Sequence, residues 1–150
     1  MNDDAKIYQE HRFELVRFAT ALVGPDDAQD LVSTVVGRLL ERQGGLTGLR
    51  QPLPYLMKSV LNEARSHHRR KRILTMVPLE TATEPSVTDR PDDLLEVVAQ
   101  LPPRQRAATF LVYWEQHTPT EAARLMGCRP ATVRRYLHLA RRKLKETLDG

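Results

Sequence analysis

The stretch that decides the fold is Thr118-Pro-Thr-Glu-Ala-Ala-Arg-Leu-Met-Gly-Cys-Arg-Pro-Ala-Thr-Val-Arg-Arg-Tyr-Leu-His-Leu-Ala-Arg-Arg-Lys-Leu144. It contains two amphipathic segments that meet at Gly127, and glycine most readily takes the left-handed conformation of a tight interhelical turn. Thr118 or Thr120 is suited to capping the first segment, with Pro119 in its first turn. The pattern predicts a helix-turn-helix.

The second helix of this pair has one apolar face and one basic face. Val133, Leu137, Ala140 and Leu144 recur at helical spacing and form a narrow apolar stripe. No acidic residue occurs between Arg129 and Lys145, so the other side offers a nearly continuous positive surface to a phosphate backbone. A solvent-exposed helix on a small bundle is the simpler explanation, but the preceding glycine turn favours DNA binding. The basic face comprises Arg135, His138 and Arg142, flanked by Arg134, Arg141 and Lys145.

Composition limits the classes of protein that fit. The chain has 150 residues with 41% hydrophobic content, which suits one medium domain or two small ones. Cys128 is the single cysteine, so we expect neither an intrachain disulfide nor a thiolate metal site, and no cofactor. The apolar runs are short and the start of the chain does not resemble a secretory signal. We therefore expect a cytoplasmic protein with no membrane contact of its own.

Charge is distributed in blocks along the chain. Residues 54–77 carry a net charge of +5 and residues 102–150 carry +6, whereas residues 78–101 between them carry −5. Two basic segments divided by an acidic one indicate two nucleic-acid contacts on two separate bodies.

The first half of the sequence predicts three helices. The first runs from Asp4 to Val23 and ends at Gly24-Pro25, after which Asp26 or Asp27 is expected to cap the second. Gly44 to Pro54 is rich in glycine and proline and predicts a loop before a third helix that ends in a basic run. The predicted buried positions are Leu15, Phe18, Ala19 and Leu22, then Leu31, Val32, Val35, Val36, Leu39 and Leu40, then Tyr55, Leu56, Val60, Leu61 and Ala64.

The second half predicts a linker and another bundle. Thr75 to Pro91 contains three prolines among polar residues and lacks apolar anchors, which is typical of a flexible tether. Beyond it we expect a helix over 92–100, a break at Leu101-Pro102-Pro103, a helix through Phe110 to Trp114, and the helix-turn-helix. The fold class is therefore all-α, with helical domains over 1–74 and 92–150 joined by a linker over 75–91.

Three motifs carry a resemblance to a known family. Asp27-Ala-Gln-Asp-Leu-Val32 and the basic Leu61-Asn-Glu-Ala-Arg-Ser-His-His-Arg-Arg-Lys-Arg72 resemble region two of extracytoplasmic-function sigma factors. Leu101-Pro-Pro-Arg-Gln-Arg106 and the helix-turn-helix resemble region four. The resemblance extends from Phe13 to Lys145 and is nearest to the short actinobacterial SigE-like branch. It implies a promoter-recognising subunit of bacterial RNA polymerase.

The resemblance also implies roles for named residues. In this family the second helix of region two docks on the clamp helices of the core polymerase, and the third helix with its preceding loop melts and reads the minus-ten element. Tyr55 stands where tryptophan is common, and we expect it in the core; the adjacent His67 and His68 are expected to face solvent or phosphate. The polymerase set is Asp27, Gln29, Asp30, Leu31, Val36 and Arg38, of which Leu31 and Val36 are equally explained by core packing. The minus-ten set is Gly48, Leu49, Arg50 and Gln51 in the loop and Lys58, Asn62, Arg65, Ser66 and Arg69 in the helix.

Region four is expected to bind the minus-thirty-five element. Residues in the first turns of a recognition helix contact base edges and later ones contact phosphate. We therefore assign base reading to Arg134, Arg135 and His138, and backbone contacts to Arg129, Thr132, Arg141, Arg142 and Lys145. Membership of the family further implies an anti-sigma partner, which the sequence does not identify.

Two other classes of function compete with this interpretation. A stand-alone operator-binding regulator would use the same helix-turn-helix, but such proteins usually dimerise and the chain has no heptad seam. A nucleic-acid enzyme would need a metal-binding or nucleophilic motif. The acids, chiefly Asp26, Asp27, Asp30, Glu80, Glu84, Asp89, Asp92 and Asp93, fall at predicted helix starts or in the linker, where capping explains them better, so we expect no catalytic residues.

Overall fold

The computed structural model describes residues 3–75 and 94–149, and every regular element in those ranges is helical. The predicted linker and the predicted helix start at Asp92 fall outside the described residues, apart from Thr75. The elements are α1 (Asp3–Val23), α2 (Pro25–Glu41), α3 (Pro52–Thr75), α4 (Leu94–Ala99), α5 (Pro103–Thr109), a π-helical segment (Phe110–Trp114), α6 (Pro119–Met126) and α7 (Pro130–Asp149).

The first bundle consists of α1, α2 and α3. Gly24, at φ 90°, separates α1 from α2, and Pro25 occupies the first helical position, where its missing N–H costs nothing. The prediction that Asp26 or Asp27 caps α2 is wrong, because no side chain makes a capping hydrogen bond there. Both carboxylates instead lie in the first turn, where the positive end of the helix dipole stabilises them.

Apolar periodicity located the core of this bundle with two exceptions. The other predicted side chains on α1, α2 and α3 are buried and pack on one another in one cluster, which also contains Ala28 and Met57, two residues that were not predicted. Leu40 and Tyr55 were also expected inside, but they are 48% and 39% exposed. Each is next in sequence to a buried residue, Leu39 and Leu56 respectively. Because successive residues of a helix point about 100° apart, the side chains of Leu40 and Tyr55 turn away from the core.

The second bundle is built from α4 to α7. The proline pair at 102–103 separates α4 from α5, as predicted, since Pro103 takes the first position of the new helix. A helix does continue to Trp114, but its last five residues form a π-helical segment in which the Glu115 N–H donates to the Phe110 carbonyl at 3.0 Å. The wider turn brings the chain round to the start of α6.

The helix-turn-helix has the predicted capping and turn. Thr118 is the N-cap of α6: its Oγ1 accepts a hydrogen bond from the Glu121 N–H at 3.1 Å, and the Glu121 carboxylate accepts one from the Thr118 N–H at 3.0 Å. Gly127 ends α6 in the left-handed conformation, at φ 72° and ψ 39°. These two local features fix where α6 begins and ends, and so the direction in which α7 leaves.

Replacing Thr118 with alanine is expected to lower the free energy of unfolding by about 1 kcal/mol, because the N-cap acceptor is lost. The reciprocal bond lowers the pKa of Glu121, so its contribution is present above the ordinary value of 4.5 and is lost as the pH falls through the lowered value. Thr120→Ala is the matched control: Thr120 lies in the first turn of the same helix without a capping bond. Equal urea midpoints for the two variants would contradict the prediction.

The two bundles pack directly against each other. Phe18 of α1 lies 6.4 Å, ring centroid to ring centroid, from Phe110 of the π-helical segment. Buried residues of α5, α6 and α7 belong to the same apolar cluster as those of α1, α2 and α3. Val98, Leu101 and Ala140 form a smaller separate cluster beneath α4. The predicted all-α class with two helical bundles is confirmed, and the structure adds an extensive contact between them.

Candidate nucleic-acid interface

The basic face of α7 is exposed because its apolar stripe is buried. Val133, Leu137 and Ala140 pack into the core, which turns the opposite side of the helix towards solvent. Thr132 is half-buried near the start of the helix. The basic residues predicted for the minus-thirty-five element are exposed, as is Lys143, which was not predicted: Arg129, Arg134, Arg135, His138, Arg141, Arg142 and Lys145.

One member of this face has a partner within the protein. The Arg141 guanidinium donates to the Tyr113 hydroxyl at 2.7 Å, which connects α7 to the π-helical segment. This bond holds the side chain in place and leaves its other donors available for a phosphate oxygen. Arg141 is therefore the most oriented of the predicted backbone contacts.

The predicted base-capturing loop is anchored by a residue far away in the sequence. Asp4 Oδ1 accepts hydrogen bonds from the backbone N–H groups of Leu46 and Thr47 at 3.0 and 3.1 Å. Gly45, at φ 53°, allows this approach, since a Cβ there would lie 2.7 Å from an Asp4 oxygen. Leu46 is fully buried beneath the loop. The anchor leaves Gly48, Arg50 and Gln51 exposed, with Leu49 half-buried against the core.

The predicted minus-ten residues of α3 are divided between solvent and the second bundle. Asn62 and Arg69 are exposed, whereas Arg65 and Ser66 are half-buried. Burial lowers the pKa of Arg65, and the neighbouring charges of Arg104 and Arg69 lower it further. Lys58 is exposed overall, but its aliphatic stem lies against Gly127, where an added Cβ would come within 2.6 Å of the lysine Cδ.

Tyr55 lies on the surface rather than in the core. Its hydroxyl accepts a hydrogen bond from Arg42, and the guanidinium lies 5.7 Å from the centre of its ring. The expectation of core packing is wrong because Tyr55 precedes the buried Leu56 by one helical step. The exposed ring stands beside the loop that ends at Pro52, where it can stack on a base.

The predicted polymerase surface on α2 is partly buried. Gln29, Asp30 and Arg38 are exposed and lie on one helix. Leu31 and Val36, however, are only 5% and 6% exposed, so core packing explains both and they leave the set of surface contacts. Asp27 is half-buried, and its carboxylate lies 3.1 Å from His67 Nε2 and 3.6 Å from Lys71 Nζ.

Glu63 links this surface to the basic helix. It is the one acid within the net +5 segment, and its carboxylate accepts hydrogen bonds from Arg38 at 2.6 Å and Arg70 at 3.3 Å. Burial alone would raise the pKa of Glu63, but the two arginine bonds and charges outweigh it and hold the pKa below its usual value. Sequence reasoning missed Glu63, although a single acid within a strongly basic segment is a signal that could have indicated it.

Replacing Glu63 with glutamine is expected to destabilise the protein at neutral pH and to change little in acid. A carboxylate with a lowered pKa contributes stability above the ordinary value of 4.5 and loses that contribution as the pH falls through the lowered value. The difference in urea midpoint between wild type and Glu63→Gln should therefore shrink towards zero as the pH is lowered. Glu14→Gln, on the exposed side of α1, provides the control. A pH-independent difference would contradict this role of the charge.

The adjacent His67 and His68 are both half-buried. His67 contacts Asp27, and His68 is half-buried beside the second bundle. The pKa of His68 is lowered by burial and then by the charges of Arg106 and other nearby cations, which favours the neutral ring. Both rings are therefore less open to solvent than expected, and that either of them faces phosphate stays a prediction.

Arg106 is a buried residue that forms hydrogen bonds with backbone groups of both bundles. Its guanidinium donates to the carbonyl groups of Leu22 at the end of α1, of Ala99, and of Leu101 at 2.9 Å. It is 6% exposed, and burial lowers its pKa, yet arginine retains its charge in proteins. The role of Arg106 could not be predicted from the spacing of residues in the sequence, because its hydrogen-bond acceptors are backbone carbonyl groups of other segments.

A cleft of about 910 Å³ is lined by residues of both bundles. Phe13 and Arg17 of α1 line one side, and Phe110 and Trp114 of the π-helical segment line the other. Arg12, Arg17, Lys71 and Arg106 contribute cationic groups to its lining and His67 and His68 contribute imidazole rings, and among the described residues the lining contains no carboxylate.

The remaining features add no further site. Cys128 is half-buried in the interhelical turn, and burial raises the pKa of its thiol, which makes it less reactive. Within residues 3–75 and 94–149 no group of three potential metal ligands comes together. None of the helices described there is long and apolar enough to cross a membrane.

Comparison with known proteins identifies first the type of domain and then the family. Residues 92–144 match the family model of sigma-70 region 4, which covers the second bundle. The RNA polymerase sigma-E factor of Streptomyces avermitilis is 34% identical over 143 residues, covering 91% of this chain and 79% of that protein. The factor of the same name from Streptomyces coelicolor is 34% identical over 141 residues, with 89% and 79% covered.

A solved structure has a similar fold over nearly the whole chain. It is the sigma factor RpoE from Bartonella quintana, crystallised in complex with the anti-sigma factor NepR; the TM-score is 0.65, the identity 24%, and 96% of this chain and 97% of that one are covered. The chain belongs to the extracytoplasmic-function sigma factors of the sigma-70 family. A stand-alone operator-binding regulator is not favoured, because the similarity to sigma factors extends across both bundles.

Proposed function

We propose that this protein directs core RNA polymerase to promoters by contacting the enzyme and two promoter elements with three separate surfaces. The observation that carries the proposal is the exposed, acid-free basic face of α7 on a helix whose apolar stripe is buried. Sigma factors are in general non-enzymatic DNA-binding regulators, and we extend this to the chain itself, which needs no catalytic residue for the role. Its place of action is then the cytoplasm, where the polymerase works.

The minus-thirty-five element is assigned to α7. Arg134, Arg135 and His138 lie in its first turns and project to solvent, where they can meet base edges in the major groove. Arg129, Thr132, Arg141, Arg142 and Lys145 hold the phosphate backbone on either side. The Arg141 bond to Tyr113 supports this division, because an oriented guanidinium suits a fixed phosphate.

The minus-ten element is assigned to α3 and the loop before it. Melting requires bases to leave the stack and lie in protein pockets while cations follow the displaced strand. The anchored loop offers Gly48, Leu49, Arg50 and Gln51 for base capture, and Tyr55 adds an exposed ring beside it. Along α3, Lys58, Asn62, Arg65, Ser66 and Arg69 provide the cationic and polar groups.

We assign contact with the clamp helices of the polymerase to α2. The contacting residues are Gln29, Asp30 and Arg38, with Asp27 at the edge of this surface. The Arg38–Glu63 bond supports α2 against α3, so that polymerase contact and minus-ten reading share one rigid unit. An anti-sigma factor is a further proposed partner, since RpoE was crystallised with one. The natural target of such a regulator is a surface that the polymerase or the promoter also needs.

The experiment is in vitro transcription over a pooled library of promoter fragments, using bacterial core RNA polymerase with and without the protein. We expect new transcripts that share a two-part upstream motif. A variant carrying both Arg134→Ala and Arg135→Ala should lose them while still binding core enzyme. Failure of the wild-type protein both to bind core polymerase and to yield any promoter-dependent transcript would overturn the proposal.

A further inference from the structure

The cleft lined by the two bundles has mainly apolar walls and two solvent-exposed aromatic rings. Phe13 of α1 is 72% exposed and Trp114 of the π-helical segment is 39% exposed, and both line the cleft. The other apolar side chains of the lining include Val16, Leu22, Val23, Val98 and Phe110. Sites for small molecules are typically hydrophobic clefts of roughly 300–1,000 Å³ at domain boundaries, and this cleft of about 910 Å³ lies within that range.

Arg106 adds a positive charge to the lining that no described carboxylate balances. Its guanidinium is 6% exposed and donates to three backbone carbonyl groups, which are neutral. Its Nε has no hydrogen-bond partner in the described part of the chain. Because a buried charge without an opposite charge is costly, an anion bound in the cleft would offset that cost.

Arg12 is a second cation of the lining without an acidic partner. It is exposed and forms no ion pair within residues 3–75 and 94–149, whereas Arg17, further along α1, pairs with Glu115 at 2.5 Å. An exposed guanidinium has donors available for a carboxylate, which it can bind through two parallel hydrogen bonds. Arg12 can therefore hold the charged group of a ligand whose apolar part lies between the walls of the cleft.

The end of α3 makes the lining positive as well. Asp27 lies outside the lining, but its carboxylate is close to His67 and Lys71 and balances part of their charge. The pKa of His68 is nevertheless lowered, by burial first and then by the charge of Arg106 and of other nearby cations. The electrostatic potential at this end of the cleft is therefore positive, which favours a ligand of negative charge.

We propose that the cleft binds a small amphiphilic carboxylate that is free in solution, with its apolar body between the aromatic and aliphatic walls and its carboxylate on Arg12. Its negative charge offsets the unbalanced positive charge of the lining. A concave cleft of this volume suits a small molecule, because such a ligand is mostly enclosed by its site. The site uses none of the residues assigned to DNA, and the binding does not depend on the proposed role in transcription.

Tryptophan fluorescence is the measurement, because Trp114 is the only tryptophan of the chain and lines the cleft. The probes are decanoate, decan-1-ol and decyltrimethylammonium, which share one alkyl chain and differ in charge, each kept below its micelle concentration. We expect decanoate to shift the Trp114 emission to shorter wavelength in a saturable way, as the alkyl chain displaces water from the ring. Decyltrimethylammonium should bind at least about tenfold more weakly, because its charge has the sign of the lining, and decan-1-ol should lie between the two.

Two pairs of variants test the charge and the cavity separately. Arg12→Gln should weaken decanoate binding about two- to fivefold and leave decan-1-ol binding unchanged, whereas Lys6→Gln, which removes an exposed cation of α1 outside the lining, should change neither. Ala21→Phe places a ring in the cleft and should abolish binding of both probes. Gln9→Phe adds the same ring to an exposed position outside the lining and should not. Circular dichroism checks that each variant is folded, and Arg12→Gln, at an exposed position, keeps the test decisive if Ala21→Phe is not.

Four outcomes would overturn the proposal. The first is no saturable change of Trp114 emission with decanoate, and the second is equal affinity for decanoate and decyltrimethylammonium. The third is a response to phosphatidylglycerol vesicles that decanoate does not reproduce, which would indicate a lipid surface. The fourth is a dimer in sedimentation that Ala21→Phe dissociates, which would place a second copy of the chain in the cleft. Promoter-dependent transcription is measured separately, so the proposed function stands if any of these occurs.

Discussion

Replacing Phe18 with alanine is expected to lower the free energy of unfolding by about 3–5 kcal/mol, the largest stability effect of any change considered. Phe18 is 1% exposed and its ring faces Phe110 across the bundle contact. The substitution removes apolar contacts from both bundles and leaves a cavity that neither can fill alone. Because a loss of this size is a large part of the stability of a small protein, partial unfolding at ordinary temperature is expected.

Urea denaturation followed by circular dichroism is the measurement. Phe13→Ala is a closely matched control, since Phe13 is on the same helix but 72% exposed, and it should change stability by less than about 0.5 kcal/mol. Phe18→Leu, which keeps most of the volume, should lose less than Phe18→Ala does. A loss below about 1 kcal/mol for Phe18→Ala would mean that the two bundles do not share a core.

Replacing Arg135 with alanine is expected to weaken binding to the minus-thirty-five duplex by about 1–3 kcal/mol and to relax the preference at one base pair. Arg135 is exposed in the second turn of α7, on the side opposite the buried Val133 and Leu137. A side chain in this position reaches a base edge when the helix lies in the major groove.

Arg142→Ala, about two helical turns further along the same face, is the comparison. It should weaken binding about equally for all sequences and lower the salt dependence by roughly one ion, as expected for a phosphate contact. Fluorescence anisotropy with matched and single-mismatch duplexes at several salt concentrations separates the two behaviours. Equal losses on matched and mismatched duplexes for Arg135→Ala would remove it from base reading.

Local chemistry explains why much of the fold could be predicted. Gly24, the proline pair at 102–103 and Gly127 act through the conformation of their own backbone, so their positions alone mark where helices stop. The apolar faces follow from the helical period, which places side chains at a fixed angle. Thr118 and Glu121 satisfy each other within one turn, and that pattern is also readable from sequence.

What could not be predicted depends on contacts between distant segments. The periodicity that identified the apolar face of α2 could not say whether Leu31 and Val36 face another helix of this chain or the polymerase. Arg106 and Asp4 bind backbone groups of other elements, and backbone acceptors and donors occur at every position. Tyr55 lies one step from a buried position, where a small rotation of the helix decides exposure.

The anchor at Asp4 ties the first turn of α1 to the loop that we propose captures a base of the promoter. The loop assigned to base capture has its shape set by a carboxylate 42 positions before Leu46, so whatever disturbs the opening residues also disturbs the pocket. A purification tag fused ahead of Asp4 is then expected to affect the shape of this loop. The tag would change which base of the melted strand the loop binds, although every side chain proposed to contact DNA is unchanged. The promoter preferences of tagged and untagged protein should therefore be measured separately.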